Sequence, residues 1–159
     1  MKVEKPNRVS RSFTQHLGSP PAAVFELLCP VREADWVNDW RPKLVLSDSG
    51  FAEPGCIFIT PGIPEDALWL MTEYDPDAFR LEIIKMIPGV VVGPITISLA
   101  AEGDGDCVAN ITYAYTSISD LGDRALEEFT DDHFKGFMEI WEKELNHFLK
   151  TGTKLEIPE

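Results

Sequence analysis

Arg8–Leu17 (RVSRSFTQHL) alternates β-branched and polar residues and predicts a strand. Gly18-Ser19-Pro20-Pro21 stops it. Ser19 reads as a helix N-cap with Pro20 at the first helical position, opening a short helix through Ala22–Leu28. Pro30 ends that helix, because the residue before a proline is pushed out of the α region. A second short helix follows over Val31–Asn38. The segment Leu28–Trp40 (LCPVREADWVNDW) is thus a helix–break–helix elbow holding two of the four tryptophans.

Beyond the elbow the period drops to two. Strands are predicted at Lys43–Ser47, Cys56–Thr60, Leu68–Tyr74, Phe79–Ile87, Ile95–Ala101 and Cys107–Ser117. They are separated by Gly, Pro and Asp turns, with Gly103-Asp104-Gly105 as a hairpin signal. Trp69, Met71 and Glu73 share one strand face; Leu68, Leu70, Thr72 and Tyr74 share the other. In the last strand Ala109, Ile111, Tyr113 and Tyr115 form the more apolar face, and Ile95, Ile97 and Leu99 match it.

From Asp120 the period becomes helical. Phe134, Phe137, Met138, Trp141, Leu145 and Phe148 make an apolar stripe. Thr130 is an N-cap with Asp131 and Asp132 in the first turn, and Gly152 fits the C-terminal cap. A long helix from about Asp131 to Lys150 is expected, preceded by a short helical turn. One block of strands closed by one helix predicts an α+β domain. The whole chain, residues 1–159, reads as a single domain with its core at about 8–152.

Composition narrows the function. The 159 residues carry 27 Asp and Glu against 14 Lys and Arg, a net charge of −13. That field repels phosphate backbones and anionic lipid, so neither nucleic acid nor membrane is the expected partner. No apolar run is long enough for a transmembrane helix, and the N-terminus lacks the apolar core of a signal peptide. Cys29, Cys56 and Cys107 form neither a disulfide framework nor a zinc motif. These features point to a cytoplasmic protein with reduced thiols.

The order of elements, the elbow, and the ending Trp141–Gly152 (WEKELNHFLKTG) resemble the START/polyketide-cyclase (SRPBCC) superfamily across nearly the whole chain. The resemblance implies the helix-grip fold: a strongly curved antiparallel sheet of six to seven strands wrapped around the long C-terminal helix, with two short helices after the first strand. It also implies an apolar cavity between sheet and helix. The superfamily has no universal catalytic motif, so it assigns no catalytic residue.

The residues themselves offer little conventional chemistry. His16, His133 and His147 have no evident nucleophile partner, and no GxSxG elbow exists. Glu144 and His147 form one ExxH, where a di-metal bundle needs two and further glutamates; no metal and no cofactor are expected. Glu127-Glu128, Asp131-Asp132 and the Glu142/Glu144 pair read as wet helix faces. The remaining signal is aromatic. The candidate ligand-binding residues are Trp36, Trp40, Trp69, Tyr113, Tyr115, Phe134, Phe137, Met138 and Trp141. Each is equally readable as packed core, Trp36 above all. Tyr113, Tyr115 and Glu73 are the candidate polar groups inside, and Arg41 the candidate partner of an acidic ligand group.

Three functions follow. The first is binding of a small apolar or aromatic molecule (lipid, quinone or polyketide-like) by a monomer or homodimer. The second is an aromatase/cyclase-type enzyme that orients a reactive chain. The third is a protein-interaction module such as a chaperone cofactor.

Overall fold

A computed structural model describes residues 1–158. Seven strands form one antiparallel sheet in the order β1-β7-β6-β5-β4-β3-β2. They are β1 (Arg8–Leu17), β2 (Leu44–Leu46), β3 (Ile57–Thr60), β4 (Ala67–Asp75), β5 (Arg80–Ile87), β6 (Val91–Glu102) and β7 (Asp106–Ser117). β2 to β7 run as a meander, and β1 closes the far edge against β7. Three helices accompany them: α1 (Pro21–Phe25), α2 (Asp120–Glu128) and α3 (Asp131–Thr151). This is the α+β helix-grip architecture, with α3 lying across the concave face.

The helix boundaries show which local signals act. Thr130 accepts the amide N–H of His133 and starts α3; Gly152, at φ 72°, ends it in the left-handed region that glycine adopts freely. Ser19 does not cap α1. Pro20 holds the N-cap position, Pro21 opens the helix, and the helix stops at Phe25 instead of Leu28. The second elbow helix is reduced to a single 3-10 turn, Arg32–Asp35.

Two strand features also depart from the pattern. β6 starts at Val91 although Gly93-Pro94 looks like a strand breaker. A Cβ on Gly93 would lie 1.6 Å from the Ala114 carbonyl oxygen, so glycine permits a close approach of β7 that no other residue allows. A bulge in β4 between Met71 and Glu73 adds one residue, and a one-residue slip exchanges the two faces. Tyr74 therefore turns inward, opposite Leu81, and stacks on Phe25 at 4.8 Å. Glu73, expected inside, pairs with Arg80 at the surface instead.

α3 is tied down by polar contacts as well as by its apolar stripe. The buried Gln15 amide donates to the Met138 carbonyl at 3.0 Å. Asn146 accepts from the Gly18 N–H and donates to the His16 carbonyl. Glu144, expected on a wet face, is buried and accepts a 2.8 Å bond from Asn38, which also donates to the Leu155 carbonyl. One side chain thereby fastens the elbow to α3 and holds the segment after it. All three cysteines are free and buried.

The convex face of β2–β5 carries two apolar cross-strand rows. One is Leu44–Ile59–Leu68–Met86, the other Leu46–Ile57–Leu70–Ile84. Leu44, Leu46, Leu68, Leu70 and Met86 are exposed.

Candidate functional site

On the concave face the ladder produces a different pair of rows. Phe58, Trp69, Lys85 and Gly93 are in register across β3–β6, and Met71, Ile83, Ile95 and Tyr113 across β4–β7. Lys85 is in phase with Leu81 and Ile83, so strand alternation sends its side chain inward. Its cross-strand neighbour Gly93 carries no side chain, and the Ala114 carbonyl of β7 takes the place of the missing Cβ.

Phe58, Trp69, Lys85, Ile83, Ile95 and Tyr113 of these rows form the floor of a cavity of about 360 Å³. The elbow supplies one wall through Glu33, Val37, Asn38 and Trp40; α3 supplies another through Phe137 and Trp141. The exposed residues Asp39, Arg41, Pro61 and Phe137 mark its mouth. Asp39 adopts φ 61°, a left-handed conformation that Asp tolerates better than most residues. It reverses the chain between Asn38, held by Glu144, and Trp40, which faces the cavity.

Five expected residues line this space: Trp40, Trp69, Tyr113, Phe137 and Trp141. Trp40 donates its indole N–H to the Pro30 carbonyl at 2.7 Å and sits edge-on to Phe58 and Trp69. Trp69 stacks on Phe58 at 5.2 Å and donates to Thr60 Oγ1. Trp36, Tyr115, Phe134 and Met138 lie outside the lining. Trp36 is fully buried behind it, donating to the Leu27 carbonyl and packing on Trp141 at 5.1 Å. Tyr115, Phe129 and Phe134 fill the groove next to α2.

Pattern reading missed Phe58 in the aromatic wall and the two ionisable residues of the site, Glu33 and Lys85. The signal for Lys85 was present in β5, in phase with Leu81 and Ile83. Glu33 had none, because its position depends on the elbow's tertiary path. Arg41 is at the mouth.

The polar groups of the site are unusually free. Among the described residues, the side chains of Glu33, Lys85 and Tyr113 make no hydrogen bond or ion pair, yet no sealed side-chain nitrogen or oxygen lacks a partner. Their polar atoms therefore face the open space of the cavity. Burial pushes the Glu33 carboxyl up to about 8 and the Lys85 ammonium down to about 8. Burial also raises Tyr113 well above the ordinary phenol value, with Tyr115 and then Glu33 adding to the effect. Lys85 Nζ lies 4.5 Å above the Trp69 ring and 5.8 Å from that of Tyr115, a partial substitute for a counter-ion. At neutral pH the site offers a protonated carboxyl, a phenol and an amine that can lose its proton.

A helix-grip protein with a cavity between sheet, elbow and α3 is the class that the fold and site define. The solved structures agree with that fold. Norcoclaurine synthase from Thalictrum flavum superposes with a TM-score of 0.66 at 11% identity, over 92% of this chain and 88% of that one. XoxI from Bacillus cereus gives 0.62 at 12%, over 87% and 94%. DynU16, from the dynemicin biosynthetic locus, gives 0.60 at 14%, over 91% of this chain and 48% of its own. No protein-family model matches the sequence, and no curated protein matches it. Among the described residues no helix is long and apolar enough to cross a membrane, and no group of three His, Cys, Asp or Glu is placed to hold a metal.

Proposed function

We propose that the protein binds a small, largely aromatic molecule in the cavity between the sheet, the elbow and α3. The observation that carries this reading is the aromatic wall of Trp40, Phe58, Trp69 and Trp141 around partnerless polar atoms. Ligand sites are typically mostly apolar with a few convergent polar groups, which fix orientation. The ligand is a ring system with one or two polar substituents, since a plain hydrocarbon would leave Glu33, Lys85 and Tyr113 unanswered. A helix-grip structure of norcoclaurine synthase holds dopamine and hydroxybenzaldehyde, molecules of that size and polarity. The chain acts as one domain, in the cytoplasm, as a monomer or homodimer. The aromatase/cyclase alternative draws on the same free acid and amine.

The test is a titration with 2-naphthylmethanol, followed by the emission of the cavity tryptophans. Saturable binding of one molecule per chain is expected. Ile83→Phe, which grows into the open space, should weaken it roughly tenfold, the effect of removing about 1.4 kcal/mol of contact. Equal affinity in that variant, or no binding to wild type, refutes the reading.

The exposed convex rows favour a second reading, an interaction face, because contiguous exposed apolar surface marks association sites. That face and the cavity lie on opposite sides of the same strands and can serve one protein together.

A further inference from the structure

A half-buried lysine with no ion-pair partner among the described residues, set in an aromatic cavity, is a costly arrangement. If the ligand only needed a positive charge, Arg41 at the mouth would supply it without that cost. The placement of Lys85 has another consequence. Its amine is held against the face of Trp69, so it projects over the cavity floor, whereas Lys135 is exposed and pairs with Glu139 on the outer face of α3.

We propose that the cavity is a carbonyl-capturing site, in which the Lys85 amine condenses with an aromatic aldehyde or ketone to give an imine. This rests on the reading that the cavity binds an aromatic molecule. In the first step the nitrogen lone pair forms a bond to the carbonyl carbon. The oxygen takes up a proton and the nitrogen gives one up, leaving a carbinolamine. In the second step the C–O bond breaks, the oxygen takes a second proton and leaves as water, the C=N bond forms, and the nitrogen gives up its remaining proton. The net change is amine plus carbonyl to imine plus water, with no oxidant or reductant. Nucleophilic lysines need exactly the kind of desolvated pocket that favours the neutral amine. The protonated Glu33 carboxyl in the same cavity is a proton source for the departing oxygen.

The groups facing this amine come from several elements. β4 brings the Trp69 ring and β7 the phenols of Tyr113 and Tyr115. The elbow brings Glu33, and the mouth Asp39 and Arg41. α3 contributes only Phe137 and Trp141 to this wall, with no charge.

The experiment treats the full chain with 2-naphthaldehyde and sodium cyanoborohydride, which reduces an imine to a stable amine. Intact mass and peptide mapping then locate the adduct. One naphthylmethyl group per chain on Lys85 is expected, formed roughly tenfold or more faster than on Lys43, Lys135 or Lys150, because burial favours the neutral Lys85 amine and the cavity holds the aldehyde beside it. Its rate should rise with pH to a plateau with a midpoint near 8. Lys85→Met and Lys85→Arg should lose this adduct while keeping the wild-type circular dichroism. Should either variant fail to fold, a competition on wild type decides: 2-naphthylmethanol, which cannot form an imine, should suppress labelling of Lys85 and leave the exposed lysines unaffected. Labelling spread evenly over the exposed lysines, or unchanged by the alcohol, overturns the proposal. If the alcohol binds but the aldehyde is not trapped at Lys85, the cavity reading stands and the imine falls. If neither binds, both fall.

Discussion

The groove under α3 has two halves built from the same strands. Next to α2, Tyr115, Phe129 and Phe134 pack ring against ring at 5.2 to 5.6 Å. Next to the elbow, Trp40, Phe58, Trp69 and Trp141 are as aromatic and yet enclose about 360 Å³. Aromatic content therefore does not distinguish core from site. What distinguishes them is the polar inventory: Glu33 and Lys85, without partners, occur only in the open half. Tyr113 stands at the divide, in contact with Phe134 and Phe137 and also facing the cavity.

The sharpest test of this contrast uses two phenylalanines one turn apart on α3. Phe134 is 2% exposed in the filled half; Phe137 is 43% exposed at the mouth. Phe134→Ala should cost about 3–5 kcal/mol in urea unfolding, because it leaves a void in close packing. Phe137→Ala should cost about 1 kcal/mol or less, since water already reaches the ring, while reducing affinity for 2-naphthylmethanol. Equal losses of stability would mean that the two halves are packed alike.

The ionisable pair gives the next largest effect, and its sign depends on pH. Glu33 keeps its proton up to about pH 8 in the folded chain but releases it near 4.5 when unfolded, so its contribution to stability falls as pH rises from 4.5 to 8. Lys85 loses its proton near 8 when folded and near 10.5 when unfolded, so its penalty lifts as pH rises from 8 to 10.5. Together they put a stability minimum near pH 8. Lys85→Met should raise stability at pH 7 by about 2–3 kcal/mol, with the gain vanishing above pH 10.5. A double variant with Glu33→Gln should flatten the minimum in thermal melts. A wild-type profile with no dip near pH 8 would show that water in the cavity solvates both groups.

The elbow hinge comes third. Asn38→Ala leaves the buried Glu144 carboxylate without its 2.8 Å donor and should cost about 1–3 kcal/mol. It should also loosen the cavity wall, so that hydrogen exchange accelerates over Val37–Trp40 while β6 and β7 stay protected.

Periodicity alone reached much of this. The strand blocks, the Thr130 and Gly152 caps of α3 and the inward faces of β6 and β7 follow from local pattern, because burial on one sheet face imposes a period of two. Three features escaped it, for separate reasons. The β4 bulge exchanges Glu73 for Tyr74 through a ladder irregularity that has no residue signature. Gly93-Pro94 lies outside the strand expected at Ile95–Ala101, yet β6 runs through it, because glycine there admits the Ala114 carbonyl. Glu33 belongs to a 3-10 turn whose direction is set by contacts with α3, distant in sequence. Lys85 was legible but outweighed: a single lysine among isoleucines reads as a solvent-facing position unless its phase is counted.

The smallest effect separates the two faces of the sheet. Leu70 lies at the centre of the exposed convex rows, in register with Ile57 and Ile84. Leu70→Lys should change unfolding free energy by no more than about 0.5 kcal/mol, as expected for a surface position, and should leave naphthylmethanol binding untouched. If the convex face joins two copies, as an apolar patch of this kind can, sedimentation velocity at high concentration should show wild type as a dimer and Leu70→Lys as a monomer. A wild type that is monomeric throughout would leave the cavity as the face through which the protein acts. A loss of naphthylmethanol binding in Leu70→Lys would instead show that the two faces are coupled through β4, whose alternate residues Trp69 and Leu70 point to opposite sides.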